Sequence, residues 1–290
     1  ISDWKNYPCC VVFGGNPYCT NTGLCLIRFK ATDLKRLWNW GIISHELGHL
    51  VTSITKKTTE DQKLRSHGKD FFSKKKANPP NLEEVYLSWQ SEIIADVFGT
   101  FVLGPSLLCA HAMIPRLWCF MEVEEPFVKF FSKHPPDECR YSIMQKVLQK
   151  NSLAEIDFVK KMGLENIANI RKMVDFDDST NDETTAFEDR IKDIEIINPQ
   201  LEVWLDAFYS EIEKKVKPFS IRNWEKSLEI ADYLKGEKTN PPDNVLPSEI
   251  LNGVISIKMS VKDLKEEMKI MEKAFPLFES VTDENILSIN

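Results

Sequence analysis

Two histidines and a glutamate lie at metal-binding spacing within residues 40–54, which read WGIISHELGHLVTSI. Residues 45–49 form the pattern H-E-x-x-H. Residues four apart share one face of a helix, so His45 and His49 can direct imidazole nitrogens at one metal ion. Glu46 flanks that face and can take a proton from a metal-activated water. The motif therefore predicts a catalytic zinc site, which requires a third protein ligand.

A first candidate for the third ligand is Glu92, in the segment SEIIAD. Glu92 and Asp96 are four residues apart in an apolar stretch of a predicted helix. Glu92 can ligate zinc directly, and Asp96 can accept a hydrogen bond from the second nitrogen of a ligand histidine, which fixes its tautomer. Because buried acids need partners, the apolar neighbours favour this interpretation over a salt-bridged surface pair.

A second candidate is His67, in the segment SHGKDFF, eighteen residues after His49. A histidine and glycine shortly after H-E-x-x-H resemble the SprT/Spartan-like proteases, which would imply a protease acting near DNA. Residues 56–76 carry eight Lys or Arg against three acids, which suits DNA proximity or plain solvent exposure. This alternative leaves Glu92 and Asp96 without a role.

A third motif lies in the segment KHPPDECR, which contains His134, Pro135 and Arg140. H-E-x-x-H, then E-x-x-A-D, then His-Pro with a following Arg, in that order, resemble the gluzincin metallopeptidases. The branch concerned contains the CAAX prenyl endopeptidases, the heat-shock membrane protease HtpX and their soluble relatives. The resemblance covers residues 40–145. It does not extend to the membrane spans or to the prenylated substrates of the membrane enzymes.

The gluzincin resemblance implies a role for each matching residue. Glu92 would be the third zinc ligand, beside the two histidines of H-E-x-x-H, and Asp96 would orient one of those histidines. His134 would lie near the metal as an oxyanion donor. Arg140 would pair with an acid and brace the site.

The elements that must position these residues are predicted from periodicity and turn signals. The runs CCVVFGGNPYC and GLCLIRF predict two strands of a small sheet, arranged as a hairpin, with an edge for an extended substrate. A helix is expected to begin at Thr32 and Asp33 and to reach Thr55, with Gly48 leaving room beside the metal. A second helix is expected over residues 82–104, with more helix beyond it. The uncharged segment 97–115 favours a buried helix pair, broken at Gly-Pro, over a membrane span.

Charge divides the chain into two unlike halves. Residues 1–150 carry 19 basic and 15 acidic residues, a net charge of +4, and contain all five histidines and all seven cysteines. Residues 151–290 carry 18 basic and 29 acidic residues, a net charge of −11. We therefore predict an α+β fold. A mainly helical, zincin-like metallopeptidase domain with a small N-terminal β-sheet spans 1–150, and an acidic all-helical domain with a regulatory or partner-binding role spans 151–290.

Composition also bears on compartment and partners. The cysteine count is odd and no C-x-x-C is present, which favours a reducing, cytoplasmic setting. A disulfide within the N-terminal cluster of Cys9, Cys10, Cys19 and Cys25 stays open. The acidic total argues against nucleic acid as the main partner. Membrane association is not expected.

The leading hypothesis is zinc-dependent peptide hydrolysis, with Glu46 as general base and His134 as oxyanion donor. The substrate would be a protein or peptide, and the helical domain would gate access or recruit a partner. One alternative is a scaffold or regulatory protein with an idle zinc site. Another is a SprT-like DNA-associated protease that uses His67.

Overall fold

The protein is described by a computed structural model that covers residues 10–13, 19–21, 26–29, 36–52, 66, 73, 82–113, 134–135, 137–162, 201–202, 205–258, 260–261 and 263–281. Its helices are a 3-10 helix Leu37–Gly41, α1 Ile42–Thr52, α2 Leu82–Leu103, α3 Pro105–Met113, α4 Asp137–Lys150, α5 Asp157–Lys161, α6 over 205–213, α7 Ile221–Lys235, α8 Pro247–Lys258 and α9 Leu264–Ser280. The predicted mainly helical character is confirmed for these residues.

Three short strands precede the helices and pair in the order β1–β3–β2. β1 (Cys10–Phe13) is parallel to β3 (Leu26–Phe29), and β2 (Cys19–Asn21) is antiparallel to β3. The expected hairpin does not join β1 to β3, which are parallel; β2, which begins at Cys19 at the end of the first predicted run, is the strand that pairs antiparallel with β3. β3 has a neighbour on both sides, so within the described strands only β1 and β2 offer an edge.

The segment before α1 differs from the single helix expected from Thr32 and Asp33. It is a 3-10 helix that ends at Gly41. Gly41 lies against α3, where a Cβ would meet the carbonyl oxygen of Ser106 at 2.6 Å. Glycine disfavours a continuous α-helix. The close approach of α3 leaves no room for a side chain at position 41, so a glycine is required there. His45 consequently lies in the first turn of α1 rather than at mid-helix.

Helix α2 is the central helix of the described structure. Every residue from Glu92 to Thr100 is buried, as expected of a helix that is apolar on all sides. It ends at Leu103, and α3 begins at Pro105. Gly104 adopts φ +68° between them, a left-handed conformation that terminates helices. The predicted break at Gly-Pro is confirmed, and none of the described helices is long and apolar enough to cross a membrane.

The C-terminal helices pack against the segment that leads into α1. Trp40 contacts Phe275 and Phe278 of α9, with ring centroids 6.1 and 5.6 Å apart. Lys258, at the end of α8, lies 4.5 Å from the ring centroid of Trp38. Two apolar clusters of the described residues each combine side chains from before and after residue 150. The division into domains at that residue stays a prediction, but the two parts pack together in both clusters.

Candidate metal centre

Helix α1 brings the two histidines of H-E-x-x-H together. The rings of His45 and His49 meet edge to face, with centroids 4.6 Å apart. Their Nε2 atoms are separated by 3.0 Å. His45 is buried, and 16% of the His49 side chain is exposed. The spacing of four residues therefore directs two nitrogen atoms at one point, as the sequence predicts.

Helix α2 adds the carboxylate of Glu92 to this pair. Its Oε2 lies 3.5 Å from Nε2 of His45, and its Oε1 lies 3.4 Å from Nε2 of His49. A tetrahedral zinc ion with bonds of about 2.0–2.1 Å holds its ligand atoms roughly 3.3–3.4 Å apart. The two distances to the carboxylate are near this value, and the 3.0 Å between the Nε2 atoms is shorter. The two imidazoles and the carboxylate fit a zinc ion in donor type, and these three residues could hold a metal.

Small residues allow α1 and α2 to cross closely enough for this contact. A Cβ on Gly48 would lie 2.4 Å from Cα of Ala95, and a Cβ on Gly99 would lie 3.0 Å from the backbone nitrogen of His45. The backbone of α2 therefore fills the space beside Gly48. The prediction that Gly48 leaves room for the metal is wrong. Residue numbers rise along α1 as their partners' numbers fall along α2, so the helices run antiparallel.

Gly48→Ala is expected to destabilise the protein and to weaken zinc binding, because the new methyl group overlaps the Ala95 backbone and forces the helices apart. Overpacking of this kind costs about 1–3 kcal/mol. Denaturant unfolding and zinc titration measure the two effects. Gly253→Ala is the matched control, since its Cβ would meet the Ser227 carbonyl at 2.9 Å, away from these residues. The Gly253→Ala variant should lose stability and keep zinc affinity. Unchanged zinc affinity in Gly48→Ala would contradict the placement of the metal site at the crossing of α1 and α2.

Asp96 orients His45 through the ring nitrogen Nδ1. Its Oδ1 accepts a hydrogen bond from Nδ1 of His45 at 2.8 Å, and the Asp96 side chain is completely buried. Because the carboxylate can only accept, Nδ1 carries a proton, so Nε2 is the nitrogen that could ligate a metal ion after losing its own proton. The structure brings Asp96 to the position in which the sequence expected it to fix the tautomer of a ligand histidine.

Arg140 reaches both acids from α4. Its Nε donates to Oδ2 of Asp96 at 2.7 Å and its Nη2 donates to Oδ1 at 2.9 Å. Its Nη1 lies 3.3 Å from Oε2 of Glu92. The guanidinium is buried, so this bidentate pair forms in a region of low dielectric. Arg140 thus contacts both Asp96, which orients His45, and Glu92, the candidate third ligand.

Burial and neighbouring charges shift the pKa values of the two histidines in opposite directions and lower those of both acids. Burial alone would lower the pKa of His45, but the Asp96 and Glu92 carboxylates raise it to about 9. Burial and the neighbouring His45 lower the pKa of His49 to about 4. Burial would raise the pKa of Glu92 and of Asp96, but chiefly the Arg140 guanidinium holds both well below their usual range. A metal ion and a proton therefore compete for the same electron pairs.

His134 and Glu46 complete the predicted set. Nδ1 of His134 lies 3.3 Å from Oε2 of Glu92, and 43% of its side chain is exposed. It is the most exposed side chain around Glu92 among the described residues. Glu46 follows His45 on α1 and is buried. His134 therefore contacts Glu92, the candidate third ligand. Its role as an oxyanion donor stays a prediction.

Ser91 is a member of the site that the sequence interpretation missed. Its Oγ lies 3.0 Å from Nδ1 of His49. Ser91 precedes Asp96 by five residues, whereas a helical step of one turn before Asp96 leads to Glu92. The spacing therefore gave no signal for Ser91, and its contact with His49 comes from the packing of α1 against α2.

Glu92→Ala is expected to weaken zinc binding more than about 100-fold, beyond the 10- to 100-fold typical of residues that only support ligands. His67→Ala, at a position outside the described residues, is expected to bind zinc as the wild type does. Competitive zinc titration of the two variants compares these ligands directly. The reverse pattern, with zinc lost in His67→Ala and kept in Glu92→Ala, would favour the SprT-like alternative.

The arrangement can support a metal with one carboxylate, two imidazoles and a second layer of oriented partners. Three protein ligands leave a coordination position for water or substrate, as in catalytic zinc sites. Residues His45, His49, Glu92, Asp96 and Arg140 converge from three helices. No family model, curated protein or solved structure matches this chain.

Proposed function

We propose that this protein is a zinc-dependent metallopeptidase of the gluzincin type. The observation that carries the proposal is the meeting of His45, His49 and Glu92, whose ligand atoms lie within 4.8 Å of one another at the crossing of α1 and α2. The donor set contains three protein ligands rather than the four of most structural zinc sites. Glu46, next to a ligand histidine, supplies the base that a purely structural site does not need.

The side chains of this chain divide the work of hydrolysis. A zinc ion in the site supplies a Lewis acid that polarises the scissile carbonyl and lowers the pKa of a water to about 7. Glu46 takes the proton of the attacking water and delivers it to the leaving amine. His134, beside Glu92 and partly exposed, donates a hydrogen bond to the carbonyl oxygen as negative charge develops there. Asp96 and Arg140 hold His45 and Glu92 in place.

An extended peptide is the proposed substrate, bound by strand addition to an edge of the small sheet. β2 and β3 both contact α1, and β2 has one partner only within the described strands. Addition at the β2 edge would bring the substrate backbone close to the metal helix. The central strand β3 is unsuited to this role, although its sequence run was one of the two candidates.

A reducing, cytoplasmic setting and a partner-binding role for the C-terminal helices belong to the same proposal. Cys109 and Cys139 are buried free thiols, and burial raises the pKa of Cys109 to about 12. Such inert thiols suit a chain without a disulfide framework. The packing of α8 and α9 against the 3-10 helix that leads into α1 supports a regulatory link to α1, which carries His45 and His49.

The full chain tests the proposal. Wild-type protein is stripped with a chelator, its zinc content is measured, and cleavage of an unfolded protein and of a quenched peptide library is followed. We expect one zinc ion per chain, loss of cleavage on chelation, and its return with one equivalent of zinc. A wild type that binds no zinc overturns the metal centre. A wild type that binds zinc but cleaves nothing in the library favours the idle-site scaffold.

A further inference from the structure

We propose that Ser91 is a positioning residue of the metal centre: Oγ accepts a hydrogen bond from Nδ1–H of His49, and this holds the ring with Nε2 as the metal-ligating nitrogen. This inference rests on the proposed function. Oγ of Ser91 lies 3.0 Å from Nδ1 of His49, within hydrogen-bonding distance. Ser91 directly precedes Glu92 on α2, so the backbone that places the carboxylate also places the hydroxyl.

The two nitrogens of the His49 ring face different partners. Nε2 faces Nε2 of His45 at 3.0 Å and Oε1 of Glu92 at 3.4 Å, which is the side of the metal. Nδ1 faces Ser91. A neutral imidazole carries one proton, so a proton on Nδ1 leaves a lone pair on Nε2. With a metal ion on Nε2 the proton of His49 would be on Nδ1, and the Ser91 hydroxyl can accept that hydrogen bond and hold the ring in the orientation that metal binding requires.

The two ligand histidines are oriented by groups of different charge. His45 is oriented by the buried carboxylate of Asp96, and His49 by a neutral hydroxyl. Glu92 and Asp96 already place two negative charges against the single positive charge of Arg140. A hydroxyl orients the second histidine without adding a further buried negative charge beside the two histidines.

Zinc affinity gives the first test. Ser91→Ala is expected to bind zinc about 10- to 100-fold more weakly than the wild type. Ser91→Thr keeps the hydroxyl and is expected to stay within a few-fold of the wild type. Ser256→Ala is the matched control, because it removes a partly buried serine hydroxyl that donates to the Gly253 carbonyl at 2.8 Å on α8. It is expected to leave zinc affinity unchanged.

Ring-proton NMR of the zinc-loaded chain gives a readout that does not depend on activity. The wild type is expected to show two slowly exchanging Nδ1 protons, one on His45 and one on His49. Ser91→Ala should lose or broaden only the His49 signal, with the His45 signal as internal control. In the wild type alone, ligation of His49 through Nδ1 would overturn the inference even where Ser91→Ala does not fold.

The outcomes separate this inference from the function on which it rests. A wild type that binds no zinc contradicts the metal centre itself. A wild type that binds zinc, beside a Ser91→Ala variant with the same affinity and the same His49 ring proton, overturns the role of Ser91 and leaves the metallopeptidase proposal intact.

Discussion

Glu46→Gln is expected to bind zinc as the wild type does and to cleave peptides about 100- to 10,000-fold more slowly. Glutamine keeps the size and shape of the side chain but cannot carry a proton between the attacking water and the leaving amine. Glu46 is not one of the three residues that could hold the metal, so zinc affinity should be unaffected. Zinc titration and kcat/KM for one cleaved peptide, measured on the same preparation, check both parts.

The control for Glu46→Gln is a second buried glutamate changed in the same way. Glu249 is 3% exposed and accepts hydrogen bonds from Asn223 Nδ2 at 2.9 Å and from the backbone nitrogen of Leu246 at 2.8 Å. Glu249→Gln should lower stability and leave kcat/KM near the wild-type value. A Glu46→Gln variant that cleaves at the wild-type rate would contradict the general-base role and favour an activity that arises elsewhere.

Arg140→Met is expected to lower the free energy of unfolding of the metal-free protein by about 3–5 kcal/mol. The substitution leaves the Asp96 and Glu92 carboxylates buried without the guanidinium that donates to one and contacts the other. Zinc would supply part of the missing positive charge, so the loss should be smaller in the zinc-loaded protein. Denaturant unfolding with and without zinc measures this difference.

Two variants sharpen the Arg140 prediction. Arg140→Met combined with Asp96→Asn removes both charges of the main pair, so the double variant should lose less stability than the sum of the single variants. Lys146→Met, on the same helix, removes a half-exposed ion pair with Glu202 and should change stability by less than about 1 kcal/mol. An equal loss of stability with and without zinc in Arg140→Met would separate Arg140 from the metal site.

The sequence was most informative where function depends on spacing along a helix. Four-residue steps place His45 beside His49 and Glu92 beside Asp96, whatever the rest of the fold does, since 3.6 residues make one turn. The break at Gly104 was predictable because Pro cannot continue a helix and Gly can adopt the left-handed conformation that ends one. Each of these conclusions depends on the backbone of a single segment.

Predictions that depended on contacts between segments were less secure. The strand runs were found, but their parallel pairing and the central place of β3 are set by a third strand with a weak signal of its own. Residues Leu37–Gly41 form a 3-10 helix that leads directly into α1, and the Ser106 backbone lies against Gly41; the predicted start at Thr32 lies outside the described residues. Local periodicity does not report such neighbours.

The sequence by itself determined which side chains could bind and activate a metal. It identified two imidazoles as possible ligands, Glu92 or His67 as the third, and a glutamate base beside them, because those residue types and spacings carry the chemistry. Only the tertiary structure decided that α1 and α2 cross at Gly48, and that Arg140 contacts both Glu92 and Asp96. It also placed Ser91 beside His49. These contacts join residues 42 to 48 positions apart in the chain, and their distances are set by the packing of one helix against another.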